Sequence, residues 1–171
     1  MIVLMAGLPG TGKSTLARAL ASRLGGSVLD KDQIRLALFS PAGVEYSTAQ
    51  DDFVMQVMLE AAAWILRKDP ARVVILDGRT FSRTYQIDRV LDAAAKLRQP
   101  WRILECVCAE ETARSRIQSQ SQAGEHLAAN RSFELYLEVK AHFQLIVHTK
   151  TVIDTDSPLA ECVNQALNAL A

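Results

Sequence analysis

Gly7-Leu8-Pro9-Gly10-Thr11-Gly12-Lys13-Ser14 stands between a β-like apolar run, Ile2 to Met5, and a helical pattern from Lys13 to Leu24. The stretch fills G-x-x-x-x-G-K-[ST] at every fixed position, and strand before, helix after is the context that pattern requires. Its glycines admit backbone conformations closed to residues with a Cβ, so successive N–H groups can ring a phosphate. A helix opening near Lys13 adds the partial positive charge of its N-terminus. In such a loop Lys13 neutralises the β- and γ-phosphates of a nucleotide, and the Ser14 hydroxyl ligates Mg²⁺.

Outward from the loop, apolar runs and helical patterns alternate to the end of the chain. Ser27 to Leu29 is a short strand ending at Asp30, Arg72 to Leu76 a buried-type strand, Arg102 to about Val107 another, and Thr151 to Ile153 the last. Between them Phe53, Val54, Val57, Met58, Ala61 and Ile65 recur at helical spacing, as do Ile87, Val90, Leu91, Ala94 and Leu97. A closing helix carries Leu159, Cys162, Val163, Ala166, Leu167 and Leu170 on one side. The alternation predicts a parallel sheet covered by helices on both faces, a three-layer α/β/α domain. With no repeat and no linker, residues 1–171 are expected to form a single domain. One segment breaks the pattern. Ser119 to Asn130 is polar, between a helix ending near Gln118 and another carrying Phe133, Tyr136, Leu137, Phe143 and Val147. A loop of that length is functional or disordered, so a mobile lid and a solvated connection are both open readings.

Composition narrows the partners. The chain is 49% hydrophobic and 22% charged, a globular balance, and a chain near this size buries roughly 70% of its unfolded surface. Lys plus Arg is 19 and Asp plus Glu is 19, so no basic excess supports non-specific binding of long nucleic acid. Cys106, Cys108 and Cys162 lack metal-ligand spacing; Cys106 and Cys108 alternate about Val107 and are expected on one face of a strand, buried and reduced. Met1 opens on the apolar run without a basic leader segment, and no apolar stretch approaches the roughly 20 residues of a membrane span. No membrane association and a cytoplasmic location are expected.

Two further segments carry chemistry. Val73-Val74-Ile75-Leu76-Asp77 ends a buried strand with a carboxylate, the form of a Walker-B aspartate that holds Mg²⁺ through water; alternatively Asp77 starts an Asp-Gly turn. In Asp30-Lys31-Asp32-Gln33-Ile34-Arg35, Asp30 sits at a strand's carboxyl end, where ligands of open α/β sheets bind. Asp32 and Arg35, three apart, can share a helix face, Asp32 as base toward an acceptor hydroxyl and Arg35 as its anchor or the substrate's. Either Asp30 or Asp32 could instead cap that helix. Arg79 and Arg83 lie just past the sheet edge, placed to clamp an anionic acceptor or to pair with Glu45, Asp51 or Asp52.

On the loop, the Asp32-Gln33-Ile34-Arg35 stretch and Asp77, the chain resembles the small P-loop kinases of the nucleoside-monophosphate-kinase-like group. Within that group it is most similar to the polynucleotide-kinase and zeta-toxin-like branch, whose members often carry an AAA label. The resemblance implies a P-loop NTPase fold with a five-stranded parallel sheet and a short lid, about residues 114–132. It implies ATP and Mg²⁺, with the γ-phosphate moved to a hydroxyl of a small or nucleotide-like acceptor. Nucleotide binding then falls to Gly7, Gly10, Thr11, Gly12, Lys13, Ser14 and Thr15, the metal to Ser14 and Asp77, and the acceptor to Asp32 and Arg35. Arg116 matches the group's arginine that stacks on adenine, and the loop Asp154 to Pro158 borders the same base. The arginine usual four residues after Arg116 is replaced by Gln120, which leaves Arg131 as substitute and Arg114 as second choice, with His126 facing solvent. A nucleotide-dependent hydrolase, switch or binding module working through a protein partner is the alternative. The chain has no Asn-Lys-x-Asp segment for guanine, and 171 residues leave no room for the helical subdomain of an AAA+ motor. Lys13, Arg35, Arg79, Arg83, Arg116 and Arg131 all fall at the expected phosphate rim, so a positive cleft is expected inside a neutral chain, suited to a small or terminal acceptor.

Overall fold

A computed structural model describes residues 1–123 and 132–171. The strands are β1 (Ile2–Ala6), β2 (Ser27–Asp30), β3 (Val74–Asp77), β4 (Trp101–Val107) and β5 (Thr151–Asp154). The helices are α1 (Lys13–Leu24), α2 (Lys31–Leu38), α3 (Thr48–Lys68), α4 (Thr84–Lys96), α5 (Glu110–Ala123), α6 (Phe133–Ala141) and α7 (Leu159–Leu170), with a 3₁₀ turn at Pro41–Gly43. The five strands form one all-parallel sheet in the order β2-β3-β1-β4-β5.

β1 is buried along its whole length because it is central and helices cover both faces. Its residues alternate between the two cores, as the pleat demands. Ile2, Leu4 and Ala6 join Val74, Leu76 and Ile103 against Val54, Met58 and Ala62 of α3 and Ile87, Val90 and Ala94 of α4. Val3 and Met5 join Ile75, Leu104 and Ile153 against Leu16 and Leu20 of α1 and Cys162, Val163 and Ala166 of α7. The three-layer parallel architecture is therefore as the alternation predicts. No helix among the described residues is long and apolar enough to cross a membrane.

Three expectations need correction. α5 runs on to Ala123, so Ser119 to Ala123 are helical and not part of a loop. Gln and Ala are good helix formers, and Gly124 is the first breaker in that stretch. α6 stops at Ala141, leaving Phe143 beyond the helix against the α3–α4 core and Val147 exposed. Cys108 lies past the end of β4 and is half-buried, while Cys106 is fully buried with its thiol pushed up to about 12 by desolvation.

Parallel strands return every crossover to the same sheet edge, so the loops after β1, β2 and β3 meet there. Pairing of β2 with β3 sets Asp30 directly opposite Asp77, and β3 in turn borders β1, whose continuation is the Gly-rich loop.

Candidate active site

The loop after β1 is held in one shape by backbone constraints. Gly7 has φ of 129°, and a Cβ there would stand 2.2 Å from the Cys106 carbonyl oxygen. Gly12 caps α1 in left-handed conformation, with φ of 75°. The Lys13 ammonium folds over the loop and donates to the carbonyls of Gly7 at 2.8 Å and Leu8 at 2.7 Å. The Thr11 hydroxyl donates to Leu8 at 2.8 Å. Gly10 lies between these, and Ser14 and Thr15 follow in the first turn of α1.

Asp77 is 1% exposed, and its Oδ1 has no hydrogen-bond partner among the described residues. A buried carboxylate oxygen left unsatisfied is costly unless something outside the chain completes it. At the end of β3, one strand from the phosphate loop, a hydrated Mg²⁺ with Ser14 as its other protein contact fits that demand. The described residues form no cluster of three or more His, Cys, Asp or Glu that would hold a metal by themselves.

Beside the loop is a cavity of 340 Å³, walled by α1, α2, the approach to α3, the segment from β3 to α4, and α6. Lys13 and Ser14 line one end; Asp32, Arg35, Lys31 and Asp51 line another. Asp30 proves to be the cap of α2, accepting from the backbone N–H groups of Asp32 at 2.9 Å and Gln33 at 3.1 Å. Burial nevertheless pushes its carboxyl up. That cap leaves Asp32 turned into the cavity, where it accepts from Arg35 at 2.8 Å.

Arg35 is 2% exposed and also pairs with Asp51, while its guanidinium lies 5.1 Å over the Tyr46 ring. Lys31, buried as well, donates to both Asp51 oxygens at 3.0 Å and lies 3.7 Å from Asp32. Desolvation pulls its ammonium down to about 8. Arg79, 4% exposed, pairs with Asp52 at 2.6 Å, and Asp52 also accepts from the Tyr85 hydroxyl at 3.1 Å. Two bulky residues hold left-handed backbone at this end, Tyr46 with φ of 52° and Phe81 with φ of 55°. Such strain costs roughly 1–3 kcal/mol per residue and persists only where packing fixes it; Phe81, 1% exposed, supplies that anchor for the segment after β3.

Arg83 is exposed and lines an adjoining cavity of 420 Å³, so it does not converge with Arg79 on one pocket. Arg116 of α5 reaches over the loop to donate to the Thr155 hydroxyl at 3.0 Å and carbonyl at 2.8 Å, and Thr155 Oγ1 lies 3.0 Å from the Thr11 carbonyl oxygen. Arg114 stacks on Phe133, 4.1 Å from its centroid. Arg131 and His126 lie outside the described residues. The expected positive cleft is corrected at its acceptor end, where each buried cation already has a carboxylate. Sequence reasoning gave no role to Lys31 or Tyr46, nor to Leu135 and Val139, and placed Glu138 on a solvent-facing helix side; it is exposed, and with Leu135 and Val139 it lines the α6 side of the cavity. Lys31 stood between two flagged aspartates, which was a usable signal; α6 offered none.

Strand order and the loop after the central strand make this a small P-loop protein of kinase-like architecture. The chain belongs to a family of AAA domains, whose profile matches residues 2–145. Among solved structures it is similar to a Chloroflexus aurantiacus protein described as a kinase, with TM-score 0.77, 21% identity and coverage of 99% of this chain and 98% of that one. It is similar also to the Mycobacterium tuberculosis APS kinase CysC in complex with AMPPNP and APS, with TM-score 0.72, 19% identity and coverage of 99% and 96%. Chaetomium thermophilum Kti12 in complex with ADP-AlF3 follows at TM-score 0.69 and 14% identity, both chains covered fully at 100%. These likenesses speak for the fold. No curated protein matches the chain.

Proposed function

We propose that the protein is a phosphotransferase that moves the γ-phosphate of Mg-ATP to a hydroxyl of a small or nucleotide-like acceptor. The observation that carries this reading is that Lys13 and Ser14 of the phosphate loop share one small-molecule-sized cavity with Asp32. A nucleotide on the loop would present its terminal phosphate toward that cavity, next to an acceptor already inside it.

The chain's own residues then divide the work. The loop N–H groups and Lys13 hold the phosphates and offset their charge. Arg116, fixed on Thr155, stands beside the nucleotide. When bound, Mg²⁺ supplies further neutralisation of the phosphate oxygens, with Ser14 and water held by Asp77 as its protein contacts. Arg35 keeps Asp32 in one orientation, and Asp32 takes the proton of the acceptor hydroxyl. The acceptor oxygen bonds to the γ-phosphorus as the bond to the β-phosphate oxygen breaks, ADP leaves, and the proton on Asp32 returns to water. Most of the barrier is lowered by positioning and charge neutralisation, so the base matters less than the geometry.

The test is ATP consumption against a panel of acceptors, namely nucleic-acid 5′-ends, nucleosides, sugars and amino-sugars, with Asp32→Asn as control. Acceptor-dependent turnover that collapses in the variant is the expected result. Acceptor-independent hydrolysis that survives Asp32→Asn, with no acceptor phosphorylated, sinks the kinase reading. That outcome would favour a nucleotide-dependent hydrolase or switch, to which the fold likeness to Kti12 with ADP-AlF3 gives some support.

A further inference from the structure

The acceptor end of the cavity is rich in charge and holds almost no net charge. Leaving aside Lys13, which serves the nucleotide, its charged lining among the described residues consists of Lys31, Arg35 and Arg79 against Asp32, Asp51 and Glu138, three against three. The three cations are 7%, 2% and 4% exposed, and none waits for a ligand's charge. Lys31 is clamped on both oxygens of Asp51 at 3.0 Å, Arg35 bridges Asp51 and Asp32, and Arg79 is held by Asp52 at 2.6 Å behind the wall. Glu138 is the exception. It stands on the mouth shared with the adjoining cavity, and no cation pairs with it among the described residues.

An incoming phosphate or carboxylate would have to displace one of these carboxylates, stranding a buried charge, or enter beside it and meet like charge. A hydroxyl meets neither penalty. It donates to a carboxylate and accepts from the neighbouring ammonium or guanidinium at once, completing the pair without breaking it. Pro9, Leu135 and Val139 supply apolar lining to the same cavity. We infer that the acceptor is a polyol without phosphate or carboxylate, uncharged or amine-bearing, whose hydroxyls are set against the Asp32–Arg35 and Asp51–Lys31 pairs. The inference rests on the phosphotransferase reading and narrows its acceptor. The amine, where present, faces Glu138.

The full chain is assayed by ATP consumption and, separately, by calorimetric titration of each acceptor. Three arms are compared: sugars and nucleosides, their amino-substituted forms, and their phosphate- or carboxylate-bearing counterparts. The first two arms are expected to exceed the third by about tenfold or more in kcat/KM, and to bind more tightly. Asp51→Asn frees Lys31 and Arg35 of one carboxylate, so the preference should move toward the anionic arm by about tenfold, a change that mere loosening of the fold does not produce. Should that variant fail to fold, the ranking by the wild-type chain decides. Equal or better use of the anionic arm overturns the inference while leaving the kinase reading intact. Binding of polyols without phosphorylation of any arm overturns the kinase reading and leaves the cavity's specificity standing. Failure of every polyol to bind overturns the inference.

Discussion

The phosphate loop and the acceptor cavity meet at Lys13 and Ser14, and they are built by different means. In the loop the ligand-facing groups are backbone N–H and a single ammonium, held by the φ of Gly7 and Gly12 within eight consecutive residues. In the cavity the lining groups are side chains from α2, α3, α6 and the segment after β3, and the buried cations among them are held by carboxylates of neighbouring elements. A backbone cradle tolerates no change of shape but accepts any nucleotide phosphate. A side-chain cluster can be rewritten one residue at a time, so on the proposed reading one half would keep a common donor and the other would be free to specify an acceptor.

The most damaging change is accordingly expected in the backbone half. Gly7→Ala would place a methyl 2.2 Å from the Cys106 carbonyl oxygen, at a φ that L residues rarely adopt. Neither strand can yield, because β1 and β4 are paired over five positions. A loss of at least about 3 kcal/mol in denaturant unfolding is expected, together with loss of the thermal shift caused by Mg-ATP. Normal nucleotide binding by Gly7→Ala would show that the loop's shape is not set by this contact.

In the other half Asp32→Asn should leave the fold and ATP affinity within a few-fold of wild type and lower acceptor-dependent turnover by about 10²-fold. Arg35 keeps Asp51 as partner, so the variant does not strand that guanidinium. Comparing nucleotide titration with turnover separates the two halves cleanly. Equal losses in both measurements would erase the distinction between them.

Thr155→Val tests where the backbone half ends. Arg116 would lose its 3.0 Å contact to the hydroxyl but keep the 2.8 Å contact to the carbonyl. A hydrogen bond to a charged group contributes about 1.5–3 kcal/mol, and with one of two surviving the effect belongs at the low end. ATP affinity should therefore weaken by about tenfold, with turnover at saturating ATP nearly unchanged. An unchanged affinity would detach Arg116 from the nucleotide.

The contrast also explains what could be read in advance. A shape imposed by backbone leaves its mark as fixed glycines at fixed spacing, so Gly7 to Ser14 was legible, and so was the sheet, because strand and helix periods are local. Asp77 was legible as the end of an apolar run, and of the two aspartates that could cap α2 it is Asp30 that does so, leaving Asp32 in the cavity wall. The cavity was not, since Asp51 reaches Lys31 from 20 residues away and the α6 wall comes from more than a hundred. The charge balance at that end follows from pairing across elements, which composition cannot report: two of the arginines counted in a positive rim, Arg35 and Arg79, are each paired with a carboxylate.

The smallest effect expected is a pH dependence carried by Lys31. Burial lowers its ammonium from the ordinary 10.5 to about 8 in the folded chain. Below about pH 8 both states hold the proton and the penalty on the folded state is constant; between about 8 and 10.5 the unfolded chain binds more protons than the folded one. Stability contributed by this residue therefore rises with pH across that window, by at most about 1.4 kcal/mol per pH unit. Other groups titrate nearby and in the opposite sense, since burial raises the Cys108 and Cys162 thiols and the Tyr136 hydroxyl and so holds their protons in the fold. They are common to wild type and Lys31→Gln, so the difference between the two denaturation curves isolates Lys31. That difference should grow in favour of wild type as pH rises from about 8 toward 10 and stay level below 8. A flat difference would mean that Lys31 keeps water in the folded chain, and the acceptor half would then be a solvated charge cluster with no claim to select its ligand by buried pairing.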